Sequence, residues 1–245
     1  CYDWGAWGWA LRPRSLGGGG LVRPHHRYFL LVNSSVRGPF VPPAAHAAAT
    51  AAARAAMGDE TAPRVVVPWH ALLTILLGGP GDVRLAGPAI SCEGAPQAGP
   101  GAQGRLFSPH VQSWAVATDR VGLAIWEEAG VDAGPLACHA DRAAAVAHGE
   151  VGSSAAILAA GKGLACLLPR YAGVDWRGAA LAGQAAAVDA PPLANGSMPF
   201  GPGPAAAWCN QRVTPIGDGG FDGTTLPPTE LLFVKHKRDG GRAVE

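Results

Sequence analysis

Apolar residues along this chain come in short blocks separated by Gly, Pro and small polar residues. Residues 28–32 (YFLLV) are apolar without interruption, the pattern of a strand buried on both faces in a parallel or mixed sheet. Asn33-Ser34-Ser35 ends this run, and Arg37-Gly38-Pro39 follows. Residues 44–56 (AAHAAATAAARAA) read either as a helix, by alanine propensity, or as a low-complexity insert. Residues 68–77 read as a helix, with Pro68 suited to the first turn and Trp69, Leu72, Leu73 and Leu76 on one face. Gly78-Gly79-Pro80 stops it. Strands are expected at 83–86 and at 111–117, the latter bounded by Pro109 and Thr118-Asp119. Thr118 is the expected cap of a helix that runs to about Ala129 and stops at Gly130. A second helix is expected over 150–160, with Glu150 in its first turn and Gly161 closing it. Residues 165–168 and 231–234 complete the expected strands. Strands alternating with helices argue for α/β architecture.

Length and composition then narrow the class. The 245 residues are read as one domain, 1–245, with low-complexity inserts near 44–56, 94–105 and 178–207. Hydrophobic residues make up 48%, but 48 alanines supply much of that figure, and 35 Gly and 22 Pro dilute the core further. Enough Leu, Val, Ile, Phe and Trp remain to build a core. With 19 Lys+Arg against 18 Asp+Glu, the net charge of +1 argues against a dedicated nucleic-acid binder. No apolar run approaches the roughly 20 residues of a membrane span. The five cysteines are scattered and show no Cys-x-x-Cys spacing, which argues against structural zinc. One or two disulfides and free buried thiols both remain open. Asn33 and Asn195 each open an Asn-x-Ser sequon; the second lies in a Pro/Gly-rich stretch, the first at the end of the apolar run.

Five segments carry candidate chemistry, each with a plainer alternative. In 28–43 a buried strand ends in Asn33, Ser34 and Ser35, the position where open α/β sheets bind ligands, with Arg37 available to an anion. The plainer reading is a turn. In 108–119, His110 and Gln112 fall on one face of the expected strand and Val111 and Ser113 on the other, giving either a pocket wall or an exposed edge. In 148–176, Glu150 at a helix start serves as a general base or as a dipole-compensating carboxylate. Tyr171, Asp175 and Trp176 there are sugar contacts or packing groups. The Gly-x-Ser-x-Gly nucleophile elbow is absent from this segment. Residues 1–11 (CYDWGAWGWAL) offer aromatic rings for stacking, or the edge of a core. In 226–238, Lys235 meets a diphosphate or belongs to a solvated charge run.

Taken in order, the segments YDWGAW, LLVNSSVRGPFVP, RLAGPAISCE, PHVQSWAVATDRVGL, GEVGSSAAILAAGKGLACLLPRYAGVDW and LPPTELLFVKHKR resemble glycosyltransferases of the rhamnan synthesis F type and their relatives in bacteria and green algae. The resemblance spans nearly the whole chain. It implies a GT-A-like fold, a Rossmann-type mixed sheet flanked by helices. It also implies transfer of a hexosyl or deoxyhexosyl unit from a nucleotide sugar to a glycan hydroxyl. On this resemblance Glu150 is the base of an inverting mechanism. Asp3, Asn33, Ser34, Ser35, Arg37 and Lys235 line the donor side, and His110, Gln112, Ser113, Tyr171, Asp175 and Trp176 the acceptor side. Many GT-A members hold Mn²⁺ or Mg²⁺ on an Asp-x-Asp pair at the strand end. Here Asn33-Ser34-Ser35 stands there, which puts metal dependence in question. GT-A domains place nucleotide-binding strands ahead of the YDWGAW-like segment, so the domain is expected to be N-terminally incomplete. The alternative is a non-catalytic carbohydrate-binding or pseudo-glycosyltransferase domain. The compartment implied is the Golgi lumen in a eukaryote and the cytoplasm in a bacterium.

Overall fold

A computed structural model of the chain describes residues 1–58, 67–92, 109–130, 133–177, 226 and 228–235. Its centre is a four-stranded mixed sheet of β1 (Tyr28–Val32), β3 (Val83–Gly87), β6 (Ala115–Asp119) and β7 (Gly163–Cys166), in the order β1-β6-β3-β7. β6 runs antiparallel to both neighbours, with Val32 opposite Ala115 and Leu85 opposite Thr118. β7 runs parallel to β3. Two short ribbons flank this sheet: β2 (Val36–Arg37) pairs with β8 (Val234–Lys235), and β4 (Ile90–Ser91) with β5 (His110–Val111).

Period-2 alternation sends the strand side chains to two helical layers. On one face Phe29, Leu31, Leu85 and Val116 join Leu123 and Trp126 of α4 (Arg120–Glu128) and Ile157 and Leu158 of α6 (Gly152–Ala159). On the other, Ala86, Ala115 and Ala117 meet Leu72 and Leu73 of α3 (Trp69–Thr74) and Ala45 and Ala49 of α2 (Pro43–Met57). Of the two helices, α3 contacts β3 and β6, and α2 packs against α3. The first 44–56 tract is therefore a helix whose Ala45 and Ala49, four apart, form a buried stripe. The tracts at 94–105 and 178–207 lie outside the described residues.

Several boundaries differ from the sequence reading, among them the helix expected at 68–77, which is the shorter α3. The expected strand 111–117 is two strands, β5 and β6, parted by a turn through Gln112, Ser113 and Trp114. The cap of α4 is Asp119, whose Oδ1 accepts from the Gly122 amide at 2.9 Å. Thr118 is instead buried in β6 and donates to the Arg84 carbonyl at 2.7 Å. The helix expected at 150–160 begins at Arg142: α5 (Arg142–Ala144), a π-helical stretch (Ala145–Val151) and α6 follow without a break. Its cap is Asp141, whose Oδ1 accepts from the Ala144 amide at 2.8 Å. The strands expected at 165–168 and 231–234 are Gly163–Cys166 and Val234–Lys235. Among the described residues, no helix is long and apolar enough to cross a membrane.

Candidate functional site

Because β1, β3 and β7 point the same way, their carboxyl ends share one edge of the sheet with the start of β6. Backbone bonds tie this edge together. The Asn33 amide donates to the Trp114 carbonyl at 2.8 Å, Gln112 to Ala89 at 3.0 Å and Leu167 to Gly87 at 3.2 Å. Gly87 permits this: a Cβ there would lie 3.0 Å from the Ala115 carbonyl and overlap the Val111 side chain.

Asn33 organises the β1 end. Its Oδ1 accepts from the Ser35 amide at 2.7 Å and the Ser35 hydroxyl at 2.6 Å. This is an Asx turn, which asparagine forms through its short carbonyl. Its Nδ2 donates to Asp3 Oδ2. Asp3 comes from the first turn of α1 (Asp3–Leu11), a helix that the Trp-rich segment did not advertise in sequence. Ser34 is exposed and Asn33 and Ser35 are half-buried, so this turn presents its polar groups toward solvent.

The same helix reaches the element that carries Glu150. The Trp4 ring lies against Gly149, where a Cβ would come within 2.7 Å of the indole. Trp4 also meets Trp126 edge-on at 5.4 Å, and Trp126 Nε1 donates to the Ser153 carbonyl at 3.0 Å. Glu150 is half-buried, and its carbonyl accepts from the Ser153 hydroxyl at 2.9 Å. It sits in the π-helical stretch, two turns into the helical run that begins at Arg142, so its carboxylate does not face a helix N-terminal dipole. A wide turn of this kind shifts side-chain directions and recurs at functional sites.

His110 and Gln112 are 4% and 3% exposed, with His110 Nε2 3.2 Å from Gln112 Nε2. This contact joins the two side chains across the turn. The Val111 amide between them donates to Ser154 Oγ at 3.0 Å, joining β5 to α6. Ser113 is half-buried in the following turn.

Other residues singled out from sequence lie apart from this turn or inside the core. Arg37 is exposed on the β2–β8 ribbon, where Arg37 stands opposite Val234 and Val36 opposite Lys235. Tyr171 and Trp176 are 3% and 1% exposed and pack edge-on at 5.6 Å. Asp175 holds Arg177 through two bonds of 2.8 and 2.6 Å, which keep its carboxyl below the usual carboxylate range. Trp4 is a core residue at 4% exposure, whereas Trp9 of the same segment is 60% exposed.

Two features carried no usable sequence signal. Cys1 and Cys138 form a disulfide across 137 residues. Cys92 is also disulfide-bonded, and Cys166 is a free buried thiol pushed up to about 12 by desolvation. His139, beside that disulfide, stacks on His148 at 5.5 Å. The ion cluster at the opposite end of the sheet is self-neutralising. There Arg84 meets Asp119 at 2.5 Å and also Asp82, and Lys162 meets Asp82 at 2.6 Å.

The donor set at the β1 end is a poor match to a hard divalent cation. It offers amide and hydroxyl oxygens and one carboxylate, Asp3, that already accepts from Asn33. Among the described residues no group of three or more His, Cys, Asp or Glu is placed to hold a metal ion. Comparison with protein-family models, with curated proteins and with solved structures finds no match to this chain.

Proposed function

We propose that this chain is a glycosyltransferase of GT-A-like architecture that moves a hexosyl or deoxyhexosyl unit from a nucleotide sugar to a glycan hydroxyl. The observation that carries the reading is the Asp3–Asn33–Ser35 network at the carboxyl edge of a mixed sheet, joined through Trp4 to the helix of Glu150. Ligands of open α/β sheets bind at such strand ends. Asn33, Ser34 and Ser35 then bond to the nucleotide sugar, and Asp3 fixes the Asn33 amide.

In the step proposed, the acceptor oxygen attacks the anomeric carbon while the bond from that carbon to the diphosphate oxygen breaks. The electron pair leaves on the diphosphate, and the acceptor proton passes to the Glu150 carboxylate. On the β2–β8 ribbon Arg37 and Lys235 fall on opposite faces, so one of them, Arg37 or Lys235, supplies positive charge for the leaving group. His110, Gln112 and Ser113 form the acceptor side; Tyr171 and Trp176, as buried rings, and Asp175, held by Arg177, have no part in it. No step is routed through a metal.

The test is a thermal-shift and calorimetric screen of the purified chain against nucleoside diphosphates and their sugars, with and without Mn²⁺. A ligand that binds only the folded state raises its stability by mass action. The expected result is a shift with one nucleotide class, independent of Mn²⁺. Glu150→Gln is expected to lower kcat by about 10²–10⁴-fold with donor affinity unchanged; full turnover in that variant removes Glu150 from the base role. The second reading, a non-catalytic carbohydrate-binding or pseudo-glycosyltransferase domain, is favoured by the Asn-Ser-Ser donor set. Glycan binding without any nucleotide shift decides for it.

A further inference from the structure

Helix α1 delivers Asp3 to the strand end, yet little within the helix holds it there. It has nine residues and no side-chain cap at its start. Isolated helices shorter than about 12–15 residues are marginal in water. Its attachment comes from elsewhere. Gly5 and Gly8 form a bare stripe against the segment Leu136, Ala137 and Cys138. A Cβ on Gly5 would lie 2.9 Å from Cys1 Cβ and 3.1 Å from Cys138 Cα, and one on Gly8 would overlap the Leu136 carbonyl. The Cys1–Cys138 bond then closes this contact covalently. From that anchored helix one arm, Asp3, reaches Asn33, and the next residue, Trp4, reaches Gly149 beside Glu150.

We propose that the Cys1–Cys138 disulfide is a positioning clasp: it holds Asp3 on Asn33 and Trp4 on Gly149, so that the strand-end site is assembled only in the oxidised chain. The inference concerns the site of the glycosyltransferase reading, but its first test does not depend on that reading. It also assigns the chain to an oxidising compartment, since disulfides persist where thiols are not kept reduced. Cys92 is engaged in a disulfide as well, which agrees with that assignment.

The chemistry is thiol–disulfide exchange. Cys1 and Cys138 are both exposed, so a dithiol reaches them. One dithiol sulfur attacks a protein sulfur and releases the other cysteine as thiolate. The second dithiol sulfur then displaces the first cysteine. The dithiol is oxidised to its disulfide by two electrons, and the protein gains two thiols. Cys166 does not compete, because it is buried and burial disfavours its thiolate.

The experiment compares the oxidised chain, the same chain in dithiothreitol, and C1S/C138S, by amide hydrogen exchange and by calorimetry with nucleoside diphosphates. In both altered forms, exchange is expected to rise about tenfold or more over 3–11, 33–35 and 145–151, while Leu85, Ala86 and Ala117 stay protected. Unchanged protection of 3–11 in C1S/C138S overturns the proposal. If that variant loses protection in the central strands too, Asp3→Asn decides, with the disulfide left intact. It is expected to free 33–35 while 3–11 stays protected, and no change at 33–35 overturns the proposal. Nucleoside diphosphate affinity is expected to fall about tenfold or more in C1S/C138S. If the oxidised chain binds none of them while exchange responds as expected, the clasp stands and the glycosyltransferase reading falls.

Discussion

At the scale of single residues, glycine is used in two ways that the sequence does not distinguish. Gly8 has ordinary helical backbone and no room for a side chain, because the Leu136 carbonyl occupies the space. Gly17 is the reverse: φ is 76° and nothing lies within 4 Å of its would-be Cβ. Gly8→Ala gains about 1 kcal/mol of helix propensity but meets a backbone oxygen that cannot rotate away. Overpacking of that kind costs about 1–3 kcal/mol or more, so a net loss is expected in urea titration. Gly17→Ala is expected to cost about 1–2 kcal/mol, from left-handed backbone alone. Equal stability of Gly8→Ala and the parent chain would remove the close contact of α1 from the account. Asn33 was legible as a strand-end residue. Its partner Asp3, thirty positions earlier, was not, because their bond requires α1 to fold back over the sheet.

Among elements, the helix Arg142–Ala159 shows where sequence pattern runs out. Its first half is alanine-rich, so no apolar stripe marks the start, and Glu150 looked like a beginning. Tertiary contacts converge on this stretch and the turn after it: Gly149 admits Trp4, while Ser153 and Ser154 bond Trp126 and Val111. Ser154 is fully buried, and its hydroxyl satisfies the amide of Val111. Ser154→Ala therefore strands a buried N–H, at a cost of about 1–3 kcal/mol. The check is a denaturant midpoint together with exchange at Val111. Unaltered values would mean that β5 does not depend on α6. The split of 111–117 into β5 and β6 has a similar origin. Buried positions on both sides of the turn made one run out of two strands, and only the pairing of β5 with β4 separates them.

For the whole molecule, the sheet between two helical layers accounts for most of the burial. One polar pair at its margin sets a pH dependence. His139 is 7% exposed, and its Nε2 has no hydrogen-bond partner among the described residues. Burial, then the neighbouring His148, lowers its pKa below the ordinary histidine value of 6.5; a backbone bond to Gly134 and the charge of Asp141 oppose this. The unfolded chain thus binds a proton at a pH where the folded chain does not. Stability from this group is fully present above about pH 6.5 and is lost as pH falls toward the lower folded value. Unfolding free energy measured at about pH 7.5 and about pH 5 is expected to drop less in His139→Gln than in the parent chain. Equal drops would place the acid sensitivity elsewhere.

The sequence by itself determined the α/β class, the helix stops at Gly130 and Gly161, and the strand 28–32 with its polar end, though this is an edge strand with Tyr28 and Val32 exposed rather than one buried on both faces. These are local properties: hydrophobic period and glycine backbone freedom act over a few residues. Only the tertiary structure decided the strand order β1-β6-β3-β7, the antiparallel direction of β6, the partner of Cys1 and the fate of Tyr171 and Trp176 as buried rings. Each of these joins residues far apart in the chain. The free energy that selects them comes from burial and pairing between elements, which no window of the sequence contains.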